Sequence, residues 1–152
     1  MMAKMKINCV WEHNGGDSIL YASNFAGAYT RGASKTEAIR KLPEEIRRFQ
    51  LWTGQTPPDE YEIDIVQEKE SDLQVKDADS DVLFETEESP LSAEEYQVLK
   101  SLALRSAKDF YALYLSFPDK NKSAKPYRKT FYGPVPRTAE EMYQHTKNVN
   151  VY

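Results

Sequence analysis

Residues 27–49 constrain the fold of this chain most, because their spacing changes from strand-like to helix-like within a few positions. Gly27 and Gly32 bracket a short strand, where glycine lets the backbone turn into and out of a sheet. Ser34 and Glu37 follow with the spacing of a capping box. The Ser34 hydroxyl accepts from an amide three residues on, and the Glu37 carboxylate reaches back to the amide of Ser34. The pattern therefore predicts a strand that leads into a helix starting directly after Ser34.

This helix has one apolar face, formed by Ile39, Leu42, Ile46 and Phe49 at helical spacing. Pro43 interrupts the pattern, because proline cannot donate a hydrogen bond to the carbonyl of Ile39 and its ring clashes with that carbonyl. We expect a kink at Pro43, or a break at which Pro43 becomes the first residue of a second helical segment.

Alternating apolar and polar residues predict further strands at 5–12, 18–23 and 61–65. Asn14-Gly15-Gly16 separates the first two strands and is typical of a tight hairpin turn. The first 68 residues thus predict three strands, one helix and one strand. We assign the chain to the α+β class, with a small sheet of β-β-β-α-β order followed by two long helices.

Two more capping boxes predict these helices. Ser92 with Glu95 begins a helix from Ala93 to about Phe117, and Thr138 with Glu141 begins a helix that contains Met142, His145 and Val149. Residues at heptad-like spacing form a seam along the longer helix, namely Tyr96, Leu99, Ala103, Ser106, Phe110, Leu113 and Phe117. Such apolar helices need neighbours. They could pack on the sheet, pair with the same helices of another copy, or belong to a longer chain, and we favour the last two.

The local net charge of the chain changes sign between two of its segments. Nine acidic residues stand against two lysines over 68–88, whereas six basic residues stand against one aspartate over 119–137. Neither run places its charges on one face of a regular element, which favours solvated loops. We expect an α+β domain at 1–69, an acidic linker at 70–91 and a helical region at 92–152.

Composition indicates an ordinary globular protein of the cytoplasm. Hydrophobic residues make up 40% and charged residues 29% of the 152 residues, and no apolar run approaches the length of a membrane span. The N-terminus has no apolar segment typical of a secretory signal. Cys9 is the one cysteine, which excludes an internal disulfide and fits a reducing compartment. Its place in an alternating strand indicates a core residue.

Seven residues at fixed spacing resemble the HicB family of antitoxin-type domains: Gly27, Thr30, Gly32, Ser34, Glu37, Ala38 and Ile39. The resemblance covers about residues 5–68 and implies a partial ribonuclease-H-like fold. It also implies a small non-catalytic partner of a HicA-like ribonuclease toxin. Family members often carry a DNA-binding segment after the sheet, but no helix-turn-helix is recognisable after Glu68. Two-metal nuclease chemistry needs several converging carboxylates, and the first strand offers only Glu12 at its end.

Residues 92–152 resemble the first two helices of a DinB-like four-helix bundle. The resemblance rests on the capped helix at 138–146, which carries His145 in its second turn. In that family this histidine is one of three metal ligands, and a His-x-x-x-His pair on a later helix supplies the others. Here the only other histidine is His13, in the predicted hairpin. A metal site needs three or four ligands. We therefore interpret His145 either as a polar residue on or near the helix surface or as part of an incomplete metal site whose other ligands belong to a longer chain.

These observations lead to three functional hypotheses. The first is a non-catalytic HicB-like interaction or regulatory module that uses no cofactor, forms a homodimer or higher oligomer, and binds a protein such as a HicA-like toxin. The second is the N-terminal part of a DinB-like enzyme that uses a divalent metal. The third is single-stranded nucleic-acid binding through a basic and aromatic strip. The strip comprises Lys120, Lys122, Lys125, Arg128 and Lys129, with Tyr127, Phe131 and Tyr132.

Overall fold

The computed structural model describes residues 4–123 and 125–149 and shows a mixed α+β protein. The chain divides into two compact units, Met1–Pro90 and Leu91–Tyr152. The first unit contains the strands β1 (Met5–His13), β2 (Ser18–Ala22), β3 (Tyr29–Gly32) and β4 (Tyr61–Glu70), with the helix α1 (Lys35–Trp52) between β3 and β4. The second contains α2 (Ala93–Ser116), the two-residue strands β5 (Lys129–Thr130) and β6 (Gly133–Pro134), and α3 (Ala139–Val149).

The four strands of the first unit form one sheet in the order β3-β2-β1-β4. Strand β2 pairs antiparallel with both β1 and β3, since a short turn joins each of these strands to the next. In the first turn, the Asn14 side-chain oxygen accepts from the amides of Gly16 and Asp17 at 3.1 and 2.9 Å. Strand β4 pairs with β1 in parallel, which requires the crossover that α1 provides. The sheet is therefore mixed.

Helix α1 packs on one face of this sheet and closes the core. Its buried residues are Ala38, Leu42, Ile46 and Gln50. They meet alternate residues of β1 and β2, including Ile7, Cys9, Leu20 and Ala22. Cys9 is fully buried, as its position in the alternating strand predicted, and burial raises the pKa of its thiol to about 12. The thiol is thus a core group and is not poised for reaction.

Of the kink or break expected at Pro43, the break does not occur, because α1 runs from Lys35 to Trp52 with Pro43 inside it. A proline in a helix interior costs about 3 kcal/mol through the missing hydrogen bond and the clash. Burial of Leu42 and Ile46 on either side of Pro43 offsets much of this cost, since each fully buried aliphatic side chain contributes roughly 1.5–3 kcal/mol. The sheet thus holds the two halves of the helix together.

Most of the expected acidic linker at 70–91 belongs to the first compact unit, which extends to Pro90. This part of the chain contains two short 3-10 turns, Val75–Asp77 and Glu85–Glu87. Val75 and Asp77 are buried, and the Phe84 ring lies 5.3 Å from the Tyr21 ring of β2. We call residues 71–87 the strap. The sequence suggested a linker because acidic residues dominate the strap, whereas a few inward-facing residues hold it on the sheet.

In the second unit, α2 is long and α3 has 11 described residues. The predicted capping box of α2 is confirmed: the Ser92 hydroxyl accepts from the Glu95 amide at 3.1 Å, and the Glu95 carboxylate accepts from the Ser92 amide at 2.8 Å. Neither helix has a buried residue within the described range. The short β5–β6 hairpin lies within the stretch that was expected to be loop. No helix in the described part of the chain is long and apolar enough to cross a membrane.

Candidate functional site

Of the seven residues at fixed spacing, all but Gly27 lie on β3 or around the junction between β3 and α1. The Thr30 hydroxyl, which is buried, donates to the carbonyl of Ala38 at 2.8 Å and so ties the strand to the helix. Gly32 lies against the first turn of α1, where an added Cβ would stand 2.7 Å from the Glu37 Cβ and 2.8 Å from the Ala38 nitrogen. Only glycine fits there without movement of the backbone. Gly27 has φ +95° in the turn before β3, a conformation that favours glycine.

The hydrogen bonds at the start of α1 differ from those of the predicted capping box in one contact. The Ser34 hydroxyl accepts from the Glu37 amide at 3.2 Å, as predicted, but the Glu37 carboxylate accepts from the amide of Ala33 at 2.9 Å. Its other oxygen pairs with Lys41 at 2.7 Å, and the Lys41 ammonium also donates to the Arg31 carbonyl at 2.8 Å. The Lys41 hydrogen bond, followed by the Ala33 amide, lowers the pKa of Glu37. These contacts secure the end of β3 on α1.

Strand β3 is a terminal strand of the sheet, so one of its sides lacks a neighbouring strand within the described residues. Tyr29 is 43% exposed there, and the Arg31 guanidinium lies 5.4 Å from the centre of its ring. Arg31 also donates to the carbonyl of Lys76 in the strap at 3.3 Å. Terminal strands are surfaces to which a partner can add a strand. The β3 edge is therefore the candidate interaction surface of the first unit.

The sequence did not indicate the role of Glu12, which is fully buried on the sheet face opposite α1. Its carboxylate accepts from the Ser80 hydroxyl at 2.7 Å, the Val82 amide at 3.3 Å and the Ser71 hydroxyl at 3.4 Å. The Tyr21 hydroxyl donates to Ser80 Oγ at 2.9 Å. Glu12 thus anchors the strap to β1. No pattern within 5–12 could reveal this, since its hydrogen-bond partners lie some 60–70 residues away along the chain.

Three tyrosines join the helices of the second unit. The rings of Tyr114 and Tyr143 stack with their centres 4.4 Å apart, and the Tyr111 ring lies 6.1 Å from that of Tyr143. The Tyr114 hydroxyl donates to the Glu140 carboxylate at 2.6 Å, and this contact raises the pKa of Tyr114 to about 12 while it lowers that of Glu140. Tyr114 is therefore a neutral donor that fixes α3 against α2.

Beside the tyrosines, α2 and α3 line an apolar cavity of about 90 Å³ that is partly open to solvent. Its apolar lining is Phe110, Leu113, Tyr114, Phe117, Ala139 and Met142, and two cations, Lys122 and Arg137, also line it. His145 is exposed on α3, one helical turn from Met142. Within the described residues, no group of three or more His, Cys, Asp or Glu side chains could hold a metal ion. His145 is therefore not assembled with other ligands in this part of the chain.

The predicted basic strip is spread over several short segments. The Lys120 ammonium donates to the carbonyl of Phe117 at 3.1 Å and lies 5.2 Å from the centre of the Tyr114 ring. Lys122 lines the apolar cavity, and Lys129 lies on β5. Lys125 and Arg128 are exposed between them. Tyr127, Phe131 and Tyr132 are also exposed, and the Phe131 and Tyr132 rings contact each other edge to face.

Comparison with known proteins finds no match for this chain among family models, curated proteins or solved structures. A proposal about its function therefore has to rest on its own residues and contacts. Three features carry the most information: the β3–α1 junction with its terminal strand, the strap anchored on Glu12, and the exposed apolar helices of the second unit.

Proposed function

We propose that the chain is a non-catalytic protein-interaction module of the HicB type, located in the cytoplasm, whose partner is a HicA-like ribonuclease toxin. The observation that carries this proposal is the β3–α1 junction. Thr30, Gly32, Ser34 and Glu37 each make a contact that explains why that residue type suits its position, and the contacts of Thr30 and Gly32 are with the backbone of Ala38. The finer fold proposal, a partial ribonuclease-H-like sheet of β-β-β-α-β order, rests on the same junction.

The β3 edge is the surface that we assign to the partner. The strand has an exposed aromatic side chain, Tyr29, next to the Arg31 guanidinium, and aromatic and arginine residues commonly dominate binding energy at protein interfaces. The backbone of a terminal strand can also pair with an incoming strand. A toxin that covers this edge would be inhibited by steric occlusion, which requires no catalytic group from this chain.

Co-expression with a HicA-like ribonuclease encoded beside this gene tests the proposal. We expect a stable complex on size-exclusion chromatography and restored growth of cells that carry the toxin. The variant Tyr29→Asp should weaken both readouts. The control Leu51→Asp places the same charge on a more accessible apolar residue of α1, which is 61% exposed, and should leave both unchanged. Absence of a complex together with absence of rescue would contradict the toxin-partner proposal.

A second proposal, the N-terminal part of a DinB-like metal-dependent enzyme, is favoured by the helical unit. Met142, His145 and Val149 follow one another at three- and four-residue spacing on α3, and all three are exposed. Two further helices packed over this stripe would enclose His145 among apolar residues. The described residues do not form a metal site by themselves, since His145 has no neighbouring ligands there.

The gene sequence tests this second proposal directly. It requires a longer reading frame that encodes a His-x-x-x-His pair on a later helix, and a purified full-length product that binds a divalent metal in a stoichiometric ratio. His145→Ala in that product should lower the metal content, whereas His13→Ala should not. A gene without the later histidine pair would contradict the enzyme proposal and leave the interaction proposal unaffected.

A further inference from the structure

The apolar cavity between α2 and α3 has the size and the charges of a small-ligand site. Engineered apolar cavities of roughly 150 Å³ hold a benzene molecule. The cavity here measures about 90 Å³ and therefore suits a smaller group, such as a short branched alkyl chain. Phe110, Leu113, Phe117 and Met142 provide most of the apolar wall.

Two cations accompany these apolar walls. Within the described residues neither Lys122 nor Arg137 forms an ion pair, although both line the cavity. The Arg137 Nε is buried and has no hydrogen-bond partner. Buried donors are nearly always satisfied in folded proteins, so this nitrogen marks a place where an acceptor is missing.

Both acidic side chains that follow Arg137 in sequence are already in use. The Glu140 carboxylate accepts from the Tyr114 hydroxyl and the Gln144 side-chain amide at 2.6 and 2.9 Å. The Glu141 carboxylate accepts from the backbone amides of Arg137 and Thr138 at 2.8 and 3.0 Å, where it caps the start of α3. These two hydrogen bonds from backbone amides lower the pKa of Glu141. The guanidinium of Arg137 therefore lies beside the cavity without a carboxylate partner within the described residues.

We propose that this cavity binds a small branched aliphatic carboxylate. The alkyl group fills the space between Phe110, Phe117 and Met142, and the carboxylate lies toward Arg137 and Lys122. Arginine and carboxylate are well matched, because the planar guanidinium presents several donors to the two carboxylate oxygens. The site does not depend on the proposed toxin interaction, since all of its residues belong to the second unit.

Methyl-labelled methionine provides a direct test, because Met142 lines the cavity whereas Met5 lies on β1 in the other unit. Isovalerate should shift the Met142 methyl signal in a saturable manner, with a dissociation constant on the order of 1 mM or lower, and should not shift the Met5 signal. Acetate lacks the branched chain and isovaleramide lacks the charge, so each should bind at least about tenfold more weakly.

Three matched substitutions to glutamine test which cation the bound carboxylate needs. Arg137→Gln keeps the backbone amide that bonds Glu141, and it should weaken isovalerate binding at least about tenfold. Lys122→Gln should weaken it less, and Lys129→Gln, which lies on β5 outside the cavity lining, should have no effect. The proposal is overturned if isovalerate leaves the Met142 signal unchanged, if acetate or isovaleramide binds as well as isovalerate, or if Lys129→Gln and Arg137→Gln have equal effects.

Discussion

At the scale of single residues, Gly32 has the least room for change, because a Cβ there would meet the Ala38 backbone nitrogen and the Glu37 Cβ at less than 3 Å. Gly32→Ala should lower the free energy of unfolding by about 1–3 kcal/mol through overpacking. Gly16→Ala is the control, since its Cβ would lie 3.6 Å from the Asn14 side-chain oxygen, and it should change stability by at most about 0.5 kcal/mol. Urea unfolding followed by tryptophan fluorescence reports both. Equal stabilities of the two variants would contradict the close approach.

Glu37 should make stability depend on pH. Its pKa is lowered in the folded protein by Lys41 and by the Ala33 amide, so its contribution is complete above the unfolded value of 4.5 and is lost as the pH falls through the folded value. Glu37→Gln should therefore be less stable than the wild type at pH 7, and the difference should shrink as the pH falls below 4.5. Thermal unfolding from pH 7 to pH 3 measures this difference. A constant difference across that range would exclude the ionised Glu37 as its source.

Several of these residue roles could be predicted from the sequence because they depend on local spacing. The Ser34 cap follows from the position of a hydroxyl three residues before an amide, and Cys9 is buried because strand residues alternate between faces. The exact partner of Glu37 could not be predicted, since a small change in the chain path exchanges the Ser34 amide for that of Ala33. The burial of Glu12 depends on contacts some 60–70 residues distant and leaves no local signal.

At the scale of elements, the strap differs most from its predicted role. An acidic stretch with few apolar residues is typical of a solvated linker, yet Val75 and Asp77 are buried and Ser80 bonds Glu12. The strap also accepts a hydrogen bond from Arg31 through the Lys76 carbonyl. Long-range contacts of this kind outweigh local composition. The same holds for α1, which continues through Pro43 because its buried face packs on the sheet.

The strap should open when its anchor is removed. Glu12→Ala deletes the acceptor for Ser80, Val82 and Ser71, and tryptic cleavage after Lys76 should become about tenfold faster, which corresponds to about 1.4 kcal/mol of local opening free energy. Asp64→Ala is the control, because this carboxylate on β4 forms an accessible ion pair with Lys6 and, among the described residues, no hydrogen bond or ion pair with the strap. Mass spectrometry identifies the cleavage site. Equal cleavage rates in the two variants would show that Glu12 does not anchor the strap.

At the scale of the whole molecule, the two units differ in how completely they bury their apolar residues. The first unit has a continuous core between α1 and the sheet. In the second, α2 and α3 have no buried residue within the described range, and large apolar side chains such as Leu113 and Leu104 are 58% and 62% exposed. Large exposed apolar surfaces mark places where another molecule or segment packs. The predicted seam of α2 continues into this surface, since Phe110, Leu113 and Phe117 line the cavity.

We expect two copies of the protein to associate through the α2 seam. The exposed parts of α2 and α3, about 36 and 16 Å long and each about 10 Å wide, could cover roughly 1,000 Å² in total when two copies pair, which is the area that a specific interface needs. Sedimentation equilibrium at protein concentrations on the order of 10 μM and above should therefore show dimers or larger species. Leu99→Glu lies on the seam and should shift the protein to monomer. Leu104→Glu places the same charge on the same helix off the seam, at a residue that is even more exposed, and should leave assembly intact. A wild type that stays monomeric, or variants that behave alike, would show that the seam does not join two copies, and the exposed helices would then require a different partner.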